Sequence, residues 1–124
     1  MTKQWRLMAT AVAGLALAGT TMPADGAWAR ARDVVEISAE RFSFTPSEIK
    51  TRVGAVVEIR LRSEDTDHGF RIVGTDTDIR IPKRNRGTAT VTFAPTAPGR
   101  YTFECSHVCG AGHSFMRGTI VVTE

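Results

Sequence analysis

The sequence predicts an all-β domain, an antiparallel sandwich or barrel of seven or eight strands. Three observations carry that expectation. Runs of alternating or β-branched residues recur, separated by Gly, Pro, Asn or Asp about every ten residues, which is the punctuation of short strands and turns. No stretch after residue 29 sustains the 3.6-residue apolar period of a helix with one buried face. The 124-residue chain shows neither repeats nor a linker and has room for one domain.

The amino end is set aside first. Lys3 and Arg6 make a positive start, Leu7 to Gly19 is an uncharged apolar run, and Ala27-Trp28-Ala29 is a small-x-small cleavage signal. These are the three parts of a secretory signal peptide. The apolar run meets Thr20, Thr21 and Pro23 before reaching the roughly 20 residues of a spanning helix. The expectation is a Sec-type signal over 1–29 that is removed on export to the periplasm or beyond, then one domain over 30–124 with no stable membrane insertion. Residues 30–124 hold 14 basic and 12 acidic side chains, net +2. That balance gives no reason to expect a nucleic-acid partner, and a monomer is expected.

The strands follow in order. Val34 to Ser38 is rich in β-branched residues, and Arg41-Phe42-Ser43-Phe44-Thr45 alternates until Pro46 ends it. Ala55 to Leu61 follows Gly54, His68 to Val73 ends at Gly74, and Asp78 to Ile81 stops at Pro82. Thr88 to Phe93 precedes a Pro/Gly cluster, Arg100 to Cys105 alternates through Tyr101 and Phe103, and Gly118 to Thr123 closes the chain. The expected core is Phe42, Phe44, Val57, Ile59, Phe70, Ile72, Val91, Phe93, Phe103, Ile120 and Val122.

The loop between the last two strands holds the chemistry. It reads Cys105-x3-Cys109-x3-His113-x2-Met116, and His68 opens a strand well upstream. Thiolate and thioether suit soft copper, and imidazole suits copper or zinc. Gly110 and Gly112 allow tight turns beside a metal. Three arrangements compete. Zinc would take Cys105, Cys109, His113 and His68 and leave Met116 without a role. Mononuclear blue copper would take His68, Cys109, His113 and Met116 and leave Cys105 over. Two copper ions use every donor: Cys105 and Cys109 bridge, His68 and His113 each cap one ion, Met116 adds a weak bond, and the backbone carbonyl of His107 fills the last position. A plain Cys105–Cys109 disulfide is a fourth reading; closing so short a loop would add little stability.

This segment resembles the CuA motif of cytochrome c oxidase subunit II, a Cys-Ser-Glu-x-Cys-Gly-x-x-His-x-x-Met loop with an upstream His-Gly-Phe or His-Ser-Phe strand. The matching residues are Cys105-Ser106-His107-Val108-Cys109-Gly110-Ala111-Gly112-His113-Ser114-Phe115-Met116 and His68-Gly69-Phe70. The likeness runs from about Phe42 to Glu124. It implies a cupredoxin-like Greek-key β-sandwich holding two copper ions and carrying single electrons to or from a cytochrome, an oxidase or a reductase. The sequence itself shows no general base, nucleophile or substrate pocket, so no catalytic residues are expected and an electron carrier is expected over an enzyme acting alone. The chain departs from the family in three places. A signal peptide stands where subunit II has membrane helices, and residues 30–124 hold no tryptophan for the family's electron-entry patch. His107 replaces the acidic residue that helps hold a magnesium ion at the oxidase interface. The rival readings of function are a periplasmic copper chaperone or store and a mononuclear blue-copper carrier.

Other side chains carry smaller expectations. Lys83-Arg84-Asn85-Arg86-Gly87 reads as a solvated hairpin turn, with steering of an acidic partner as its functional reading. Glu64, Asp65 and Asp67 are turn formers, partners that orient His68, or charges that attract incoming copper. Phe70, Phe103 and Phe115 are expected to shield the metal from water.

Overall fold

Alternation builds the core strand by strand. In Val56–Ser63 the residues Val57, Ile59, Leu61 and Ser63 point inward and are buried, while Arg60 and Arg62 face solvent. A strand whose faces differ in this way stabilises only a sheet with one side covered. The computed structural model describes residues 32–124, and it answers this requirement with two packed sheets.

The strands are β1 (Arg32–Glu40), β2 (Ser43–Thr45), β3 (Glu48–Arg52), β4 (Val56–Ser63), β5 (His68–Ile72), β6 (Asp78–Ile81), β7 (Ala89–Phe93), β8 (Gly99–Glu104) and β9 (Arg117–Thr123). A 3₁₀ turn at His113–Phe115 interrupts the β8–β9 loop. One sheet has the order β2-β1-β4-β7 and the other β3-β9-β8-β5-β6. The expected all-β sandwich is therefore present, with nine strands among the described residues. The signal-peptide and cleavage expectations over 1–29 lie outside the described residues.

Three features differ from the sequence reading. Glu48–Arg52 was not expected as a strand, since four of its five residues are polar and only Ile49 is buried. It forms because it lies at a sheet edge along β9, where one inward side chain suffices. The sandwich is also not purely antiparallel, because β1 runs parallel to β4 and β3 parallel to β9. The 82–88 segment joins β6 in one sheet to β7 in the other, so it is a crossover between sheets and not a hairpin turn.

Ten of the eleven residues expected in the core are buried there, and Phe42 is the exception at 38% exposed. It sits in the β1–β2 turn, and its ring lies over Gly110 and Gly112 of the β8–β9 loop. Phe44, Phe70 and Phe103 meet at ring-centroid distances of 5.2 to 5.8 Å. Each fully buried ring contributes roughly 1.5–3 kcal/mol. Phe70 lies two residues after His68, and Phe103 two residues before Cys105. The same alternation that buries those rings therefore turns the imidazole and the thiol toward the interior, just above them.

Candidate metal centre

Three elements bring the donors together. His68 begins β5 and is fully buried. Cys105 follows β8, and the β8–β9 ladder continues through a bond from Cys105 N–H to Met116 carbonyl at 3.0 Å. That bond closes the base of a ten-residue loop, 106–115, whose interior is braced by the 3₁₀ turn. In that turn His113 N–H donates to Gly110 carbonyl, Phe115 N–H to Gly112 carbonyl, and Met116 N–H to His113 carbonyl.

The sulfurs sit at the centre. Cys105 and Cys109 are unbridged, with their sulfurs 3.8 Å apart, and both are buried, as is Met116. Each thiol faces a different imidazole. His68 Nδ1 is 3.9 Å from Cys105 Sγ, and His113 Nδ1 is 3.8 Å from Cys109 Sγ. Met116 Sδ lies 3.9 Å from Cys109 Sγ, and the carbonyl of His107 lies 3.1 Å from Cys105 Sγ. All six donors named from the sequence are thus within one small volume.

The donors are not arranged around one point. His68, Cys105 and Cys109 offer atoms within 4.8 Å of one another, and His113 falls outside that group. In a tetrahedral zinc site the donor atoms would all be only about 3.3–3.8 Å apart, given bonds of about 2.0–2.3 Å. The soft donors, two thiols and a thioether, also suit copper better than a hard cation.

Hydrogen bonds hold the donors in place. Asp65 Oδ1 is 2.7 Å from His68 Nε2, so the ring presents Nδ1 to the sulfurs. Asp65 also accepts Arg41 N–H at 2.9 Å. Burial opposes ionisation of Asp65, but the Arg41 and Thr66 backbone N–H groups and His68 outweigh it and hold the carboxyl below its ordinary range. Gly69 N–H donates to Cys105 Sγ at 3.4 Å. Arg41 Nε donates to the carbonyl of Cys109 at 2.8 Å. Burial, then the adjacent Cys105 thiol, pushes the Cys109 thiol up to about 11.

Two glycines are explained by close approach. A Cβ at Gly69 would lie 2.6 Å from His107 N and 2.9 Å from Ser106 N, so the strand and the loop fit together only without a side chain there. Gly112 leaves the space that the Phe42 ring occupies.

Some expectations need correction. Phe115 does not shield the centre, since its ring is 81% exposed on the outside of the 3₁₀ turn. Phe70 and Phe103 are buried as expected, and Phe42 covers the loop on the other side. Of the three acids, Asp65 engages His68, while Asp67 accepts Lys83 N–H at 2.9 Å and pairs with Arg80. Glu64 pairs with Arg62. Sequence reasoning missed Arg41. Nothing local marks an arginine in a short turn as reaching a carbonyl 68 positions later.

Comparison with known proteins places the centre in context. A family model described as a cupredoxin-like domain matches residues 7–122. Cytochrome c oxidase subunit 2 of Thermus thermophilus is 34% identical over 134 aligned positions, spanning 94% of this chain and 98% of that protein. A chain of a heme-copper terminal oxidase dimer superposes with a TM-score of 0.60 at 33% identity. That match covers 73% of this chain and 64% of that one, just under two thirds of its length. The periplasmic domain of cytochrome oxidase subunit II from Bradyrhizobium japonicum shares the fold with a TM-score of 0.66 at 17% identity, over 73% of this chain and 83% of that one.

Proposed function

The chain belongs to the cupredoxin-like domain family and is a relative of cytochrome c oxidase subunit 2, and from that premise we propose that it is an exported electron-transfer protein with a dinuclear, CuA-type copper centre. The copper would be held by His68, Cys105, the His107 carbonyl, Cys109, His113 and Met116. Two thiolates shared by two copper ions would spread one electron over both metals, so that little rearranges on reduction. The proposal further takes 1–29 as a removed signal, 30–124 as the mature domain, the periplasm as its location, and a monomer as its state. A cytochrome, an oxidase or a reductase is the redox partner.

The single observation that carries this reading is the pairing of each imidazole with its own thiol across two sulfurs 3.8 Å apart. One ion would need the four donors around one point. Two ions need two such pairs side by side, with Met116 and the His107 carbonyl one on each side.

The chain's own residues do three things for such a centre. Asp65 fixes the tautomer and tilt of His68. The Gly69 N–H and the carbonyl-holding Arg41 keep the sulfurs in place without metal. Phe70, Phe103 and Met116 close the inner side against water. A preformed, rigid cage of this kind lowers the rearrangement that accompanies electron transfer.

Copper stoichiometry with optical and electron-spin spectra tests the proposal. Two coppers per chain with a purple, delocalised mixed-valence signal are expected. One copper with a blue-copper spectrum, or colourless copper that exchanges readily, would overturn it in favour of a mononuclear carrier or a copper store.

A further inference from the structure

We propose that the metal end of the sandwich carries a cationic docking surface, built on the β6–β7 crossover, for a redox protein that surrounds its own redox centre with carboxylates. The inference rests on the electron-transfer reading above.

The crossover exposes Lys83, Arg84, Asn85 and Arg86 in a row. It is a defined turn. Arg86 N–H donates to the Lys83 carbonyl at 3.0 Å, and Asn85 takes the left-handed region at φ 63°, which Asn tolerates well. Its anchors are main-chain groups. Lys83 N–H donates to Asp67 Oδ1 at 2.9 Å, and Arg84 N–H to the Asp65 carbonyl at 3.1 Å. The anchoring therefore leaves the three cationic side chains free.

Their charge is uncompensated. Among the described residues, none of Lys83, Arg84, Arg86 and Arg41 forms an ion pair. Of the acids at this end, Glu64 is engaged by Arg62, Asp67 by Arg80 and Asp65 by His68, Asp78 accepts from Ser106 Oγ at 2.6 Å, and Glu40 forms no ion pair among the described residues. At the far end Arg32, Lys50 and Arg100 each have a carboxylate at 3.6 to 3.9 Å, and Arg52 forms no ion pair among the described residues. The near-zero net charge of the domain thus conceals a local positive pole on the crossover, where three unpaired cations stand within four residues. Such a pole steers an oppositely charged partner and orients it.

The pole is also connected to the centre. The Arg84 N–H bonds the main chain of Asp65, the Asp65 carboxylate bonds His68 Nε2, and His68 Nδ1 faces Cys105 Sγ. A partner held at the crossover therefore stands two hydrogen bonds from a donor imidazole. Val108 and Phe115 expose apolar surface on the same loop as the other donors, at 76% and 81%. A cationic flank beside an apolar lip suits a transient complex, in which charge sets the approach and apolar contact sets the final pose.

Two measurements test this. In the first, the copper-free protein is titrated with hexacyanochromate(III), a paramagnetic trianion, and with the hexaamminechromium(III) trication, while backbone amide signals are followed. Broadening by the anion at 83–87 and at Arg41 is expected, with none there from the cation, and the triple variant Lys83→Gln/Arg84→Gln/Arg86→Gln loses it. Broadening scattered over the surface, or retained in that variant, overturns the proposal whether or not the copper reading holds. In the second, the copper-loaded protein is mixed with a reduced c-type cytochrome, which gives up one electron and becomes the ferric form. With an acidic cytochrome the rate should fall as salt rises from about 10 mM to about 1 M, where the screening length shrinks from ~30 to ~3 Å. The triple variant should be about tenfold slower at low salt. A far-end control, Arg32→Gln/Arg52→Gln/Arg100→Gln, should keep the parent's rate. Equal slowing by both triple variants, or faster reaction with a basic cytochrome than an acidic one at low salt, overturns it.

Discussion

The two imidazoles proposed as donors sit in different kinds of structure. His68 is the first residue of a paired strand, has no exposed surface, and is tied to Asp65. His113 opens a three-residue 3₁₀ turn in a loop, is partly exposed, and depends on loop hydrogen bonds for its position. The first half of the centre is therefore part of the sandwich, and its cost of ordering is met by the core beneath it. The second half is ordered mainly by what presses on the loop from outside, the Phe42 ring and the Arg41 guanidinium. Cys105 belongs to the rigid half, and Cys109 to the loop.

Removing one thiol should have the largest effect. Cys105→Ser takes the proposed bridging sulfur from the rigid half and leaves Cys109, His113 and Met116 on the loop. Loss of the purple species and a fall from two coppers to one or none are expected by metal analysis and optical spectroscopy. An unchanged spectrum with two coppers would end the dinuclear assignment.

Next in size is Gly69→Ala, which strikes the seam between the halves. The new methyl would fall 2.6 Å from a backbone nitrogen, and backbone cannot swing aside as a side chain can. Overpacking of this kind costs about 1–3 kcal/mol. A lower midpoint in chemical denaturation of the copper-free protein is expected, together with weaker copper binding. If the two halves were independent, the stability loss would appear without the loss of affinity.

How much of this was legible beforehand follows the same division. The rigid half could be read directly, because a two-residue alternation puts Phe70 and His68 on one face and Phe103 and Cys105 on one face. The candidate donor set was drawn from the sequence because soft ligands crowded at short spacing are rare by accident, and the fold brings those atoms together. Edge strand β3 was not, because a strand with one buried residue has too little pattern to announce itself. Phe42 and Phe115 were misplaced for a related reason: Phe42, expected in the core, covers the loop, and Phe115, expected to cover the metal, faces solvent. Composition says that an aromatic near a metal will cover it, but only the fold decides which ring turns inward. Arg41 was invisible because its partner is a main-chain carbonyl, which leaves no trace in residue type.

The thiols give a pH test of the unloaded centre. In the folded chain the Cys109 thiol is raised from 9.0 to about 11, by burial and then by Cys105. The folded state therefore binds more protons than the unfolded state between those values. Stability of the reduced, copper-free protein is full below pH 9 and should fall as pH rises toward about 11. Cys109→Ser should flatten that decline. A stability that rose through this range would contradict a buried, unpaired thiol on the loop.

Arg41→Gln tests the outside clamp. It removes a charged donor from the Cys109 carbonyl while keeping the backbone N–H that bonds Asp65. A hydrogen bond from a charged group contributes about 1.5–3 kcal/mol when buried, and solvent around this exposed side chain should reduce that to about 1 kcal/mol. The expected result is faster amide exchange across 109–113 and faster copper release, with His68 and its strand unaffected. Equal loosening of both halves would show that Arg41 stabilises the whole fold.

The smallest effect should come from His107→Ala, and its smallness is informative. His107 lies between the two thiols in sequence, and it is the residue at which a side-chain ligand would be easiest to assume. Its carbonyl is 3.1 Å from Cys105 Sγ, whereas its imidazole is absent from the donor group formed by His68, Cys105 and Cys109. A main-chain donor survives any substitution that keeps the loop's path, and alanine keeps it. Copper stoichiometry and spectrum should therefore match the parent, with affinity within about twofold, a fraction of 1 kcal/mol. A large loss of copper would mean that the imidazole swings in when metal arrives. The loop half would then be completed by the metal itself, unlike the half that the sandwich holds ready.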